Sequence, residues 1–157
     1  MLAKYLVLGT EVFSGNWGTK ISENLSEKIL IEANEKGINE LDAASSYGES
    51  NSVEKFIGKI VKKNKIKYSI SSKFKIENKK KTSEIVKNVE QQLDKSLRFL
   101  NVENLHTYYF HSGNNKEFFI DEVWKLLEDR KKLGDIKRLG LSIKHDLVLK
   151  NDLKQLF

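Results

Sequence analysis

Residues 37–50 read Gly37-Ile38-Asn39-Glu40-Leu41-Asp42-Ala43-Ala44-Ser45-Ser46-Tyr47-Gly48-Glu49-Ser50. The run Ile38 to Ala44 reads as a short strand, and it ends in polar residues rather than in a simple turn. Before it, Leu25, Ile29 and Ala33 recur at helical spacing from Leu25 to Lys36, and Gly37 is a C-terminal stop. After it, Asn51 with Glu54 three residues on resembles a helix start. Val53, Phe56, Ile57 and Ile60 then form the apolar stripe of that helix. A strand held between two amphipathic helices is the unit of a parallel α/β fold.

The same alternation runs outward in both directions. Tyr5 to Leu8 is a strand candidate upstream. Downstream, Tyr68 to Phe74 is a strand, and Ser83 opens a helix whose inner face is Ile85, Val89, Leu93, Leu97 and Leu100. Leu105 to Phe110 is the next strand. Asp121 caps a helix through Val123, Trp124, Leu127 and Leu133, stopped by Gly134. Ile136 to Ile143 is a fifth strand, and another helix begins at His145 and runs toward Phe157. With right-handed crossovers such units wind into a doubly wound sheet or a barrel. The spacing of roughly 30 to 35 residues is that of the βα unit itself. No linker or boundary divides residues 1–157, so a single domain is expected.

Composition removes several function classes. The chain has 157 residues and no cysteine, so disulfides, thiolate metal sites and a Cys nucleophile are excluded. No apolar run approaches the ~18 residues of a membrane span. The first residues read as a strand rather than a signal peptide, so a cytoplasmic protein is expected. The net charge of +6 is almost all lysine, with arginine only at 98, 130 and 138. Nucleic-acid readers interleave arginine and aromatics with basic patches, so a solvated surface is the better reading of these lysines. His106, His111 and His145 lack metal-ligand spacing, and no metal is expected. The glycine fingerprint of a dinucleotide fold is missing after the first strand.

Polar residues gather at the C-terminal ends of the strands, the edge where parallel βα folds bind ligands. Strand two ends in Leu41-Asp42-Ala43-Ala44, followed by Ser45-Ser46-Tyr47-Gly48; strand three ends in Ser71-Ser72-Lys73, strand four in Phe110-His111-Ser112, and strand five in Gly140-Leu141-Ser142. A phenol is a poor acid at neutral pH, and a nearby ammonium stabilises its phenolate. A buried lysine needs a carboxylate to remain charged. A histidine beside them can hydrogen-bond a carbonyl oxygen. Each residue also has an ordinary reading: Asp42 as a cap, Tyr47 as turn packing, Lys73 as a solvated lysine, His111 as a structural histidine.

Taken in order and in spacing, LGT in the first strand, GINELDAASSYGES, SSK, YYFHS and KLGDIKRLGLS resemble the aldo-keto reductases. The resemblance implies a (β/α)8 TIM barrel, with this chain supplying about five of eight βα units and truncated after the fifth strand. It implies an oxidoreductase that reduces a small carbonyl substrate, an aldehyde or ketone, with sugar-type carbonyls among the candidates, using NADPH or NADH. It maps a catalytic tetrad onto Asp42, Tyr47, Lys73 and His111, with Thr10 and Ser142 helping to place the nicotinamide. The family pattern is departed from at three places: Ala43 follows Asp42, Ile143 follows Ser142, and Ser112-Gly113 follow His111. The alternative is a catalytically inactive fragment or interaction subunit on the same fold. Phe13 and Trp17 either line the substrate mouth or pack a loop. His106 and His145 read as surface or structural. An open parallel sheet has bare edges, which predicts self-association; no nucleic acid and no membrane are expected as partners.

Overall fold

The structure, a computed structural model, describes residues 3–16, 18, 21–76, 81–111 and 120–142. Among these residues five strands, β1 (Val7–Gly9), β2 (Glu40–Asp42), β3 (Ser69–Phe74), β4 (Leu105–His111) and β5 (Ile136–Ser142), alternate with four α-helices. The helices are α1 (Glu23–Glu35), α2 (Ser52–Asn64), α3 (Thr82–Leu100) and α4 (Asp121–Lys132). All four strand pairs are parallel, and their spatial order is their chain order. That order, with a helix between successive strands, is how a (β/α) barrel is laid down.

The pairing register decides what shares an edge. Gly9 pairs with Asp42, and Asp42 with Ser71. Lys73 pairs with Tyr109, and His111 with Ser142. Strand side chains alternate between faces. Gly9, Asp42, Ser71, Lys73, Tyr109 and Ser142 therefore line one inner cavity. The opposite face carries Leu41, Ile70, Phe74, Tyr108 and Phe110 into the layer between sheet and helices, where all five are buried. Phe74 lies 5.1 Å from Tyr108 and 5.3 Å from Phe110 by ring centroids, and Trp124 of α4 meets Phe110 edge-on at 6.4 Å.

The helices follow their apolar stripes. Leu30 and Ala33 of α1, Val53, Ile57 and Ile60 of α2, Ile85, Val89, Leu93 and Leu100 of α3, and Val123 and Leu127 of α4 are buried. Ser22 caps α1, its hydroxyl accepting from the Leu25 amide at 3.2 Å. Gly37 follows α1 with φ +87°, a conformation that suits glycine.

Several local expectations are corrected. The first strand is not Tyr5 to Leu8: Ala3–Tyr5 is a 3-10 turn, and only Val7–Gly9 finds partners, on β2. The second strand shortens to Glu40–Asp42 because only those residues pair on both sides. Asn51 precedes α2 but makes no cap to the backbone; its side-chain amide donates to Glu54 Oε2 at 2.8 Å. Asp121 is the first residue of α4 and Ile120 its cap position. Leu133 lies past the end of α4 and is 76% exposed, so it is not part of the apolar face. The helix expected from His145 onward, and Ile143, lie outside the described residues.

Gly58 marks where α2 and α3 touch. A Cβ there would collide with the backbone carbonyl of Phe99 and crowd Leu100. Gly58→Ala should therefore destabilise the fold by about 1–3 kcal/mol or more, since backbone cannot yield as a side chain can. Urea unfolding of the two proteins measures it, and an unchanged midpoint would show that α2 and α3 are not packed in this way.

Candidate active site

The site is built around one ammonium group. Lys73 sits next to the C-terminal end of β3, and its side chain is 7% exposed. Its three N–H groups have three acceptors. Nζ donates to Asp42 Oδ2 at 2.8 Å, to the Ala43 carbonyl at 2.8 Å and to the Tyr47 hydroxyl oxygen at 2.9 Å. Nζ also lies 4.6 Å from the Tyr47 ring centroid. A buried cation in this setting is fully satisfied, which is the condition for keeping it charged away from water. Because Lys73 only donates, the Tyr47 oxygen is an acceptor in their bond and its own proton is left for another partner.

The chain around the ammonium is fixed by backbone contacts. The Asp42 carbonyl accepts from both the amide and the hydroxyl of Thr10, at 3.0 and 2.9 Å. The Lys73 carbonyl accepts the Ser45 hydroxyl at 2.9 Å. The Tyr47 amide closes a turn onto the Ala44 carbonyl at 3.1 Å. Gly48 then takes φ +71°, and a Cβ there would strike Ser52 Oγ, so the turn presenting Tyr47 needs glycine. Glu54 in the first turn of α2 is fully buried and accepts from Ser72 Oγ at 2.7 Å and from Asn51 Nδ2. It thereby ties the end of the Tyr47 loop to the residue next to Lys73.

His111 ends β4 beside this group. Its ring meets the Tyr47 ring edge-on at 6.1 Å, and Nδ1 lies 3.3 Å from Ser46 Oγ. Burial, helped by the positive charges of Lys73 and Lys75, pushes its pKa down to about 4. The imidazole is neutral at pH 7 and can hydrogen-bond without carrying charge.

The structure thus brings Asp42, Tyr47, Lys73 and His111 together. Thr10 is fully buried and its hydroxyl proton is committed to Asp42, so it touches the site through that backbone. Ser142 lines the same cavity as Asp42 and Lys73. Phe13 is buried and packs edge-on against Phe56 at 6.1 Å, which settles its open reading in favour of packing. Trp17 and His145 lie outside the described residues. His106 is half-buried, with Nδ1 3.3 Å from the Thr107 hydroxyl. Ser46 and the Ala43 carbonyl carry no signal in the sequence, and Glu54 carries one only as half of a helix-start pattern. Among the described residues no three side chains group as metal ligands, and no helix is long and apolar enough to cross a membrane.

A parallel βα barrel-type sheet with a lysine–tyrosine–aspartate–histidine group at its C-terminal mouth is the class defined by this geometry. The aldo/keto reductase family model matches residues 5–150, and the chain belongs to that family. An aldo-keto reductase of Bacillus halodurans, solved in its holo form, is similar at 27% identity and TM-score 0.71, covering 95% of this chain and 49% of that one. An aldo-keto reductase structure from Pseudomonas aeruginosa is similar at 27% identity and TM-score 0.70, covering 87% and 53%. A glycerol dehydrogenase of Gluconobacter oxydans shares the fold at TM-score 0.71 and 23% identity. The chain spans about half the length of these structures. Comparison with curated protein sequences finds no match.

The depressed His111 gives a pH signature. Unfolded, it takes up a proton near its ordinary 6.5; folded, it resists until about pH 4. Between these values the unfolded state binds more protons, so stability falls as pH is lowered through that window. His111→Gln should flatten this part of the stability–pH curve, read by urea unfolding at several pH values. Superimposable curves would place His111 in water rather than in the site.

Proposed function

We propose that this chain carries the acid–base centre of an oxidoreductase that reduces an aldehyde or ketone to the alcohol with NADPH or NADH. The observation that carries the reading is the Lys73 ammonium bound at once to Asp42, Ala43 and Tyr47, with His111 alongside. Family membership supports the reaction class.

The substrate oxygen accepts the Tyr47 proton, the one that Lys73 does not engage. Lys73 stabilises the phenolate that remains, because a fixed ammonium within 3 Å needs no reorganisation as charge develops. Asp42 keeps Lys73 charged and aimed. Neutral His111 donates to the same carbonyl oxygen and orients it. A nicotinamide, when bound, supplies hydride to the carbonyl carbon. Two features favour such a ring at this mouth. Gly9 has open space where a Cβ would stand, and Ser142 offers a hydroxyl to the cavity shared with Asp42 and Lys73. Thr10 would act indirectly, by holding Asp42.

A second reading, a binding or interaction protein on the same fold, is favoured by Ile143 after Ser142, whose side chain cannot hydrogen-bond a nicotinamide amide. Turnover separates the two. The purified chain, given NADPH and a panel of small aldehydes, ketones and sugars, is expected to consume NADPH. Tyr47→Phe should lower the rate by roughly 10²–10⁴-fold, the usual contribution of a general acid, while leaving the fold intact. Equal rates from the two proteins would reject the role of Tyr47, and a folded chain with no turnover would favour the second reading.

A further inference from the structure

We infer that Ser46 is a positioning residue that sets the proton on His111, its hydroxyl donating to Nδ1 so that Nε2 carries the ring proton. The functional meaning of this assignment rests on the proposed carbonyl reduction; the assignment itself concerns the resting protein.

A neutral imidazole has one N–H and one bare nitrogen, and the hydrogen bond made by one nitrogen decides which is which. His111 is held neutral by burial and by Lys73 and Lys75. Its Nδ1 faces Ser46 Oγ at 3.3 Å, a contact that works in either direction because a hydroxyl both donates and accepts. Two arguments choose the direction. The Nε2–H form is intrinsically the more stable tautomer of a neutral histidine side chain, and a Ser46 hydroxyl that donates to Nδ1 reinforces that preference. A carbonyl oxygen, moreover, can only accept, and a bare Nε2 would repel it; with Ser46 donating to Nδ1, the free edge of the ring offers a proton.

The loop is built to hold this hydroxyl in place. Ser45 is anchored on the Lys73 carbonyl by its side chain, and Tyr47 is anchored by Lys73 Nζ and by its turn onto Ala44. Ser46 lies between these two fixed neighbours and is half-buried. One strap of chain therefore presents the Tyr47 proton donor and orients the His111 donor. A hydrophobic residue at this position would leave the tautomer of His111 to its solvent contacts.

The experiment is a long-range 1H–15N correlation spectrum of the full chain labelled with 15N-histidine at pH 7, without cofactor or substrate. It separates pyrrole-like from pyridine-like ring nitrogens. His111→Gln identifies the His111 signals among those of the three histidines. The expected spectrum has Nε2 pyrrole-like and Nδ1 pyridine-like. Ser46→Ala should move the two signals part of the way toward each other, to the mixture that the intrinsic Nε2–H preference alone sets, and Ser46→Thr, which keeps the hydroxyl, should restore them. An unchanged His106 pattern in the variants is the control for folding. A wild-type Nδ1 that is pyrrole-like, or a Ser46→Ala spectrum identical to the wild type, would overturn the inference. Failure of the functional reading is distinct: it would be a chain with the expected tautomer and no turnover.

Discussion

A buried ammonium group needs three acceptors, and the rest of this site follows from where they come from. Lys73 takes a carboxylate from Asp42, a backbone carbonyl from Ala43 and a phenol oxygen from Tyr47. All three lie within one stretch of six residues on the neighbouring strand and its loop. The ammonium therefore fixes the pairing of β2 with β3 beyond the last ladder residue, and with it the turn that carries Tyr47. Loss of any one acceptor would leave part of a charge unsatisfied in a water-poor site, which costs far more than an ordinary hydrogen bond contributes.

The surroundings serve the same constraint. Beyond the end of β1, Thr10 secures the Asp42 carbonyl, so the aspartate's backbone cannot drift while its side chain holds the lysine. On the outer side, Glu54 accepts from Ser72 and Asn51 and couples β3 to the entry of α2. His111 arrives from β4, two residues beyond the Lys73–Tyr109 pair. Its low proton affinity follows first from burial and then from the same ammonium that organises the other groups, with Lys75. Charge placement and strand register are here one arrangement.

Much of this was legible in the sequence because two periodicities carry it. Alternating apolar runs and amphipathic helices define the parallel α/β order, and the C-terminal ends of such strands are where ligands bind. Asp42, Lys73 and His111 each sit at such an end, and Tyr47 follows Asp42 at loop distance. Strand ends and caps were less legible, since they depend on partners. Tyr5 is apolar and β-prone, yet its neighbour β2 offers pairing only from Glu40. Asn51 looks like a cap, but Glu54 is buried close by and takes its amide. Phe13 gave no sign of facing Phe56 rather than the mouth. Ser46 was the least visible, because a serine in a polar loop carries no periodic signal. Its contact with His111 spans 65 residues.

The central claim is that Lys73 and Asp42 form one energetic unit rather than two neighbouring polar residues. A double-mutant cycle tests it most directly, with urea unfolding of the wild type, Asp42→Asn, Lys73→Met and the double variant. The account predicts that either single change costs more than its share. Removing both should recover part of the loss, with a coupling of at least ~1 kcal/mol. Strictly additive effects would mean that Lys73 is solvated and that the site is not organised around its charge.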